Sequence, residues 1–203
     1  MGKVDFKKSL DAYRAKVGEF RIVEVPELHY IMIDGQGDPN TAPEYRDAVE
    51  TLFPVAYKLK FVSKRELDCD YTVMPLEGLW WADDMDTFTV ARDTSQWCWT
   101  MMIMAPEWID QAMLDRVVEM LSADGPPRLR DVRLEPLAEG QCVQTLHVGP
   151  FDAEGPVLET MHRDFIPSRG LKPRGKHHEI YLSDPRRTAP EKLRTILRQP
   201  VQP

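Results

Sequence analysis

Cysteine is scarce in this chain: Cys69, Cys98 and Cys142 are odd in number, far apart and without a CxxC spacing. That pattern excludes a disulfide framework or a thiolate zinc cluster and reads as isolated, reduced, buried thiols. No stretch approaches the roughly 18 apolar residues of a membrane helix, and the first eight residues lack the apolar run of a secretory signal. The expectation is a cytoplasmic protein without a membrane partner. Lys and Arg are nowhere clustered, and 33 acidic against 26 basic residues leave a net charge of −7. An electrostatic footprint for nucleic acid is thereby excluded. Gly-x-Ser-x-Gly, the P-loop and the dinucleotide glycine fingerprint are missing too, which leaves ordinary hydrolase, nucleotide and nicotinamide classes without support. No cofactor is implied, and a weakly cationic or neutral small molecule suits the charge.

What the chain does have is tryptophan in two places. Four of its five tryptophans lie in two strand-like segments, Trp80 and Trp81 in the first, Trp97 and Trp99 in the second. Indoles on facing strands build either a core or a grip for a flat organic or cationic ligand. With 203 residues, 42% of them apolar, the chain can bury a core and still spare aromatic area for a pocket.

The order of segments implies a duplicated unit. Leu28 to Ile33 is β-rich and ends in a turn around Gly35 to Pro39. A helix follows, with Thr41 and Glu44 in capping-box spacing, Pro43 in the first turn, and Pro54 predicted to kink or interrupt it. Strands are expected around 70–81 and 97–104, joined by the acidic Asp83-Asp84-Met85-Asp86 connection, then an amphipathic helix from Pro106 to Leu121. The second half repeats the order: a strand at Cys142–Val148, a helix at Glu154–Ser168, a strand at 176–182 and a short final strand near Thr195–Val201. The fold class is therefore α+β, tandem strand-helix-strand-strand modules forming an antiparallel sheet with helices on one face and a ligand cleft between the halves. One domain spans 1–203, with pseudo-repeat halves at about 20–125 and 135–203.

Few residues could carry chemistry. Alternation puts His177, Glu179 and Tyr181 on one strand face and His178, Ile180 and Leu182 on the other, which looks more like core. A carboxylate held on a rigid strand in aromatic surroundings can bind a cation or act as a general base toward water. Glu77 is a second candidate, although Gly78 beside it suggests a bulge or bend that obscures its direction. His147 ends a strand that could approach the same face, but the histidines lack metal-ligand spacing, so no metal is predicted.

Pro75-Leu76-Glu77-Gly78-Leu79-Trp80-Trp81, the Trp97-x-Trp99 to Pro106-x-Trp108 stretch, and His178-Glu179-Ile180-Tyr181-Leu182-Ser183-Asp184-Pro185 together resemble the GyrI-like small-molecule-binding domain proteins, over roughly residues 20–201. More narrowly, they resemble the stand-alone branch that includes cyclopropanoid cyclopropyl hydrolases, which open the cyclopropane of yatakemycin and duocarmycin-type DNA alkylators. The resemblance implies a planar aromatic or cationic ligand, with Glu179 as base, Tyr181 as polar helper, and Trp80, Trp81 and Trp99 as pocket walls. Tyr71 and His147 are further ligand-binding candidates by the same carry-over, and Glu77 stands beside them from the strand reading. Only about 20 residues precede the first strand, so no DNA-binding helix-turn-helix is expected. The alternative from the wider family is a non-catalytic protein that sequesters or senses aromatic or cationic ligands.

Overall fold

The computed structural model describes residues 2–82, 96–123 and 125–203, so the acidic Asp83–Asp86 connection lies outside the described residues. After a short helix α1 (Phe6–Ser9), the order is β1 (Arg21–Val25), β2 (Leu28–Gln36), α2 (Pro43–Leu67), β3 (Leu76–Trp81), β4 (Cys98–Ala105) and α3 (Gln111–Leu121). Then come β5 (Arg133–Leu137), β6 (Gly140–Val148), a helical run of α4 (Gly155–Glu159), a π-helical turn (Thr160–Phe165) and α5 (Ile166–Ser168), and finally β7 (Lys172–Pro173), β8 (His177–Tyr181) and β9 (Arg194–Gln202).

Among the described residues the pairings between these strands are all antiparallel, and the sheet runs β1-β6-β9-β8-β3-β4-β2-β5, with β7 added beside β9. The expected strand-helix-strand-strand order holds twice, as β2-α2-β3-β4 and as β6, the helical run, β8 and β9. The second strands of the two modules, β3 and β8, pair at the centre of the sheet. Two further strands are exchanged between the modules: β1 precedes the first but pairs with β6, and β5 precedes the second but pairs with β2. The sequence reading places no strand at either. Pro136 inside β5 argues against a central strand, and β5 is in fact an edge, where a missing N–H costs no ladder bond.

Helix α2 lies against β2 and β4, with Leu52, Val55 and Leu59 sharing one core with Ile31, Ile33, Met101 and Ile103. Met161 and Ile166 of the other helical run pack with Val143, Leu197 and Val201 in a second, smaller core. The register puts all those strand residues on one face, so both helical layers stand on the same side of the sheet and flank the central β3–β8 pair. Two helix boundaries differ from expectation. The capping box at Thr41 and Glu44 does not form; Ala42 is the N-cap and Pro43 opens the helix, where its missing N–H has no intrahelical partner to lose. Asp110, not Pro106, begins α3, because its carboxylate accepts the Met113 N–H at 2.8 Å. Pro54 does not interrupt α2: it sits on the exposed side, where solvent can satisfy the carbonyl it leaves unbonded. The strand expected from residue 70 begins only at Leu76. Among the described residues no helix is long and apolar enough to cross a membrane.

Candidate functional site

The central strands carry the chemistry. Register pairs Gly78 with Glu179 and Trp80 with His177 across β3 and β8, and Trp80 with Trp99 across β3 and β4. Directly paired residues share a face, so Trp80, Trp99, His177, Glu179 and Tyr181 all project to the side on which the helices stand. The Trp80 indole N–H donates to the Tyr181 hydroxyl at 3.0 Å, and that hydroxyl donates onward to Glu179 Oε2 at 2.8 Å. Glu179 Oε1 lies 3.6 Å from His177 Nε2, and its side chain is 15% exposed. Burial first, and the Glu179 charge next, hold the Tyr181 hydroxyl well above the ordinary phenol range, so it keeps its proton for the carboxylate.

Aromatic rings surround this chain of hydrogen bonds. Tyr45, in the first turns of α2, stacks on Trp80 with ring centroids 6.1 Å apart and planes 29° apart, and meets Trp99 edge-on at 5.4 Å. Trp97 contacts Trp80 edge-on at 5.8 Å, and Phe151, from the 3-10 turn ahead of α4, contacts Tyr181 edge-on at 5.6 Å. Tyr45, Trp97 and Phe151 were not among the predicted site residues. Tyr45 reads from sequence as one more apolar position on α2, and only its place in the first turn after a strand could have marked it.

Glycine builds the floor. A Cβ on Gly78 would stand 2.8 Å from Trp80 Nε1 and 3.1 Å from the Tyr181 hydroxyl, so the expected bulge is instead a regular ladder position kept bare for those two side chains. Gly35, paired with Trp99, lies directly beneath the Trp99 ring for the same reason. Gly78→Ala is expected to cost about 1–3 kcal/mol through overpacking and to break the Trp80–Tyr181 bond. Urea unfolding monitored by tryptophan fluorescence reads both effects; an unchanged midpoint and spectrum would contradict this account of the floor.

The remaining predicted residues do not join the cluster. Trp81 follows Trp80 in the strand and so takes the opposite face, where the Lys176 ammonium sits 3.2 Å from its ring centroid. Tyr71 is buried against Trp108 beneath the end of α2. His147 shares the face of Tyr181, with Thr195 between them in the ladder, but its Nε2 lies 3.1 Å from the Pro150 carbonyl. It lines a separate groove of about 470 Å³ with Val17, Phe20, Thr145, Val157 and Thr160, away from Glu179.

Glu77 also faces away, into a buried ionic cluster on the reverse of the sheet. His178 Nε2 is 2.9 Å from Glu77 Oε2, and His178 Nδ1 is 3.0 Å from Glu139 Oε1. Arg198 donates to Glu139 Oε2 at 2.7 Å, to Gln144 Oε1 at 3.0 Å and to the Ala12 carbonyl, while Tyr13 donates to Glu77 Oε1 at 2.6 Å. The alternation therefore placed His178 in the core correctly, but what awaits it there is charge. Burial alone would raise the Glu139 carboxyl, yet His178 and Arg198 bring it down to about 2. Burial opposes the charged form of His178 as well, and the two carboxylates overcome it and raise its pKa.

The two shifts act on opposite sides of a pH window. Glu139, with a folded value below its ordinary 4.5, adds stability that is complete above that pH and is lost as the pH falls toward 2. His178, raised above its ordinary 6.5, adds stability that is complete below that pH and is lost as the pH rises through its folded value. Stability is expected to peak between these two ordinary values, with the acid-side loss on the order of 2–3 kcal/mol. Urea midpoints measured across the pH range check this, and a flat curve would rule it out.

No group of three His, Cys, Asp or Glu among the described residues is arranged to hold a metal ion. What the geometry offers is an oriented carboxylate under an aromatic stack, suited to gripping a flat molecule and drawing a proton or cation toward Glu179.

Comparison with known proteins bears on the fold and the family. An uncharacterized conserved protein from Listeria innocua superposes with a TM-score of 0.88 at 38% identity, covering 98% of this chain and all of the other. Two further structures from Listeria innocua, each described as a hydrolase, superpose with TM-scores of 0.85 and 0.86 at 37% and 38% identity, covering 98% and 99% of this chain and 100% of each partner. Curated proteins yield no match. Residues 18–202 match the GyrI-like small molecule binding domain, and the chain belongs to that family.

Proposed function

We propose that this protein is a hydrolase that opens the cyclopropane ring of planar, DNA-alkylating compounds of the yatakemycin and duocarmycin type, and so protects the cell from them. The observation that carries the reading is the relay from Trp80 through Tyr181 to Glu179 beneath the Tyr45–Trp80 stack. The relatives described as hydrolases support it at the level of reaction class.

A flat guest between two rings needs about 7 Å, twice the usual carbon–carbon contact distance of about 3.5 Å. The Tyr45 and Trp80 rings, 6.1 Å between centroids with planes 29° apart, are packed on each other, so the two rings must part for a flat guest to enter. The bound cyclopropane then lies over Glu179 Oε1, the oxygen that Tyr181 leaves unbonded. Water attacks the methylene carbon as Glu179 takes its proton; the C–C bond breaks, and its electron pair moves through the conjugated ring to the carbonyl oxygen, giving a phenolate. The Tyr181 hydroxyl donates its hydrogen bond to Glu179, so its part is to orient the base rather than to polarise the ligand carbonyl.

Incubation with a cyclopropanoid alkylator, followed by mass spectrometry, tests the reading. Many ring-opened equivalents per protein are expected; recovery of intact ligand at one equivalent would favour a non-catalytic sequestering protein.

A further inference from the structure

His177 is the buried group of this site that the steps above leave unused. It is 7% exposed, projects from β8 to the same face as Glu179, and neither of its ring nitrogens has a hydrogen-bond partner. A buried imidazole without a partner sacrifices solvation on the order of 1–3 kcal/mol, and folding alone gives no reason to place one here. Its Nε2 points at Glu179 Oε1, 3.6 Å away, while Tyr181 occupies the other carboxylate oxygen.

A second histidine stands behind it. His162 projects from the π-helical turn, its ring centroid 6.5 Å from that of His177 and its plane tilted by 56°. An extra residue in a helical turn rotates the side chains around it, and such turns recur at functional sites. Here the turn brings a half-buried imidazole beside His177, and the next two residues, Arg163 and Asp164, are exposed. Burial first, and the neighbouring His177 next, lower the His162 pKa to about 4, so it is neutral at physiological pH and has a lone pair with which to accept a proton.

We infer that His177 and His162 form the proton exit of this site, carrying to solvent the proton that Glu179 takes from water. The inference rests on the reading of Glu179 as the base. After ring opening Glu179 is a neutral acid and cannot act again. His177 accepts its proton, becoming an imidazolium beside the restored carboxylate; it then releases one proton through His162 to solvent, and the phenolate product takes up one proton in exchange. Charge and protons balance over the cycle, and His177 acts through Glu179 rather than on the substrate.

Separate measurement of the first and later turnovers tests this. In His177→Gln, ring opening in the first turnover is expected to stay within about twofold of wild type while steady-state kcat falls about tenfold. Added imidazole restores later turnovers in His177→Ala, which a merely structural role would not allow, and half-exposed His162→Gln gives a smaller loss of the same kind. Equal losses in both phases, or none in either, would overturn the inference. Glu179→Gln separates it from its premise: that variant should lose the first turnover as well. If Glu179→Gln keeps the first turnover, or if wild type opens no ring, the base assignment fails and the proton exit with it.

Discussion

Replacing Arg198 by methionine is expected to destabilise the fold by about 3–5 kcal/mol, the largest stability effect of any single change considered for this chain. Arg198 is fully buried and holds together three acceptors: Glu139, Gln144 and the Ala12 carbonyl. Without it, two carboxylates face the single cation of His178, and the buried charge no longer balances. The cost is that of stranding Glu139, so adding Glu139→Gln to Arg198→Met should recover part of the loss, although the pair alone contributes little net stability. Urea unfolding of the single and double variants checks both statements; a single variant within about 1 kcal/mol of wild type would contradict the picture of a cooperative cluster. The functional consequence is positional. His178 anchors the reverse of the same five residues that turn His177, Glu179 and Tyr181 toward the helices, so loosening the cluster should also disturb the Tyr181–Glu179 hydrogen bond.

Glu179→Gln is expected to lower ring-opening turnover by about 10²–10⁴-fold while leaving ligand affinity within a few fold. Glutamine preserves the volume and still accepts from the Tyr181 hydroxyl through its carbonyl oxygen, so the Trp80–Tyr181 relay survives. It cannot take a proton from water. Tryptophan fluorescence quenching reads binding and mass spectrometry reads turnover on the same sample. A loss of affinity as large as the loss of turnover would make Glu179 a ligand contact rather than a base.

The strand-helix-strand-strand order, the antiparallel sheet and the face of Glu179 were legible because each rests on local pattern: period-two alternation and glycine or proline punctuation. At Trp81 and Glu77 residue type and strand pattern point in different directions, and the structure follows the pattern. Adjacent strand residues cannot share a face, so Trp80 and Trp81 could never both line one pocket. Glu77 lies two positions from Leu79 and, across the ladder, opposite Ile180, on the face that β8 alternation had already given to the core. Tyr45, Phe151 and His162 were not legible, because packing on the sheet brings Tyr45 to β3 and β4, and Phe151 and His162 to β8, from distant sequence. The ionic cluster was hidden for the same reason. Arg198 and Glu139 read as ordinary charged residues until the β8–β9 register sets Arg198 against His178.

Under the proposed function, Glu179 drives water onto a cyclopropane carbon held among these aromatic rings. The most direct test is incubation of wild type and Glu179→Gln with a cyclopropanoid alkylator in oxygen-18 water, followed by mass spectrometry of the product. Wild type should release many equivalents of a ring-opened alcohol, each carrying one heavy oxygen, while Glu179→Gln binds the compound and returns it intact. Equal labelling by both proteins, or no labelled alcohol beyond the spontaneous reaction with either, would contradict the account.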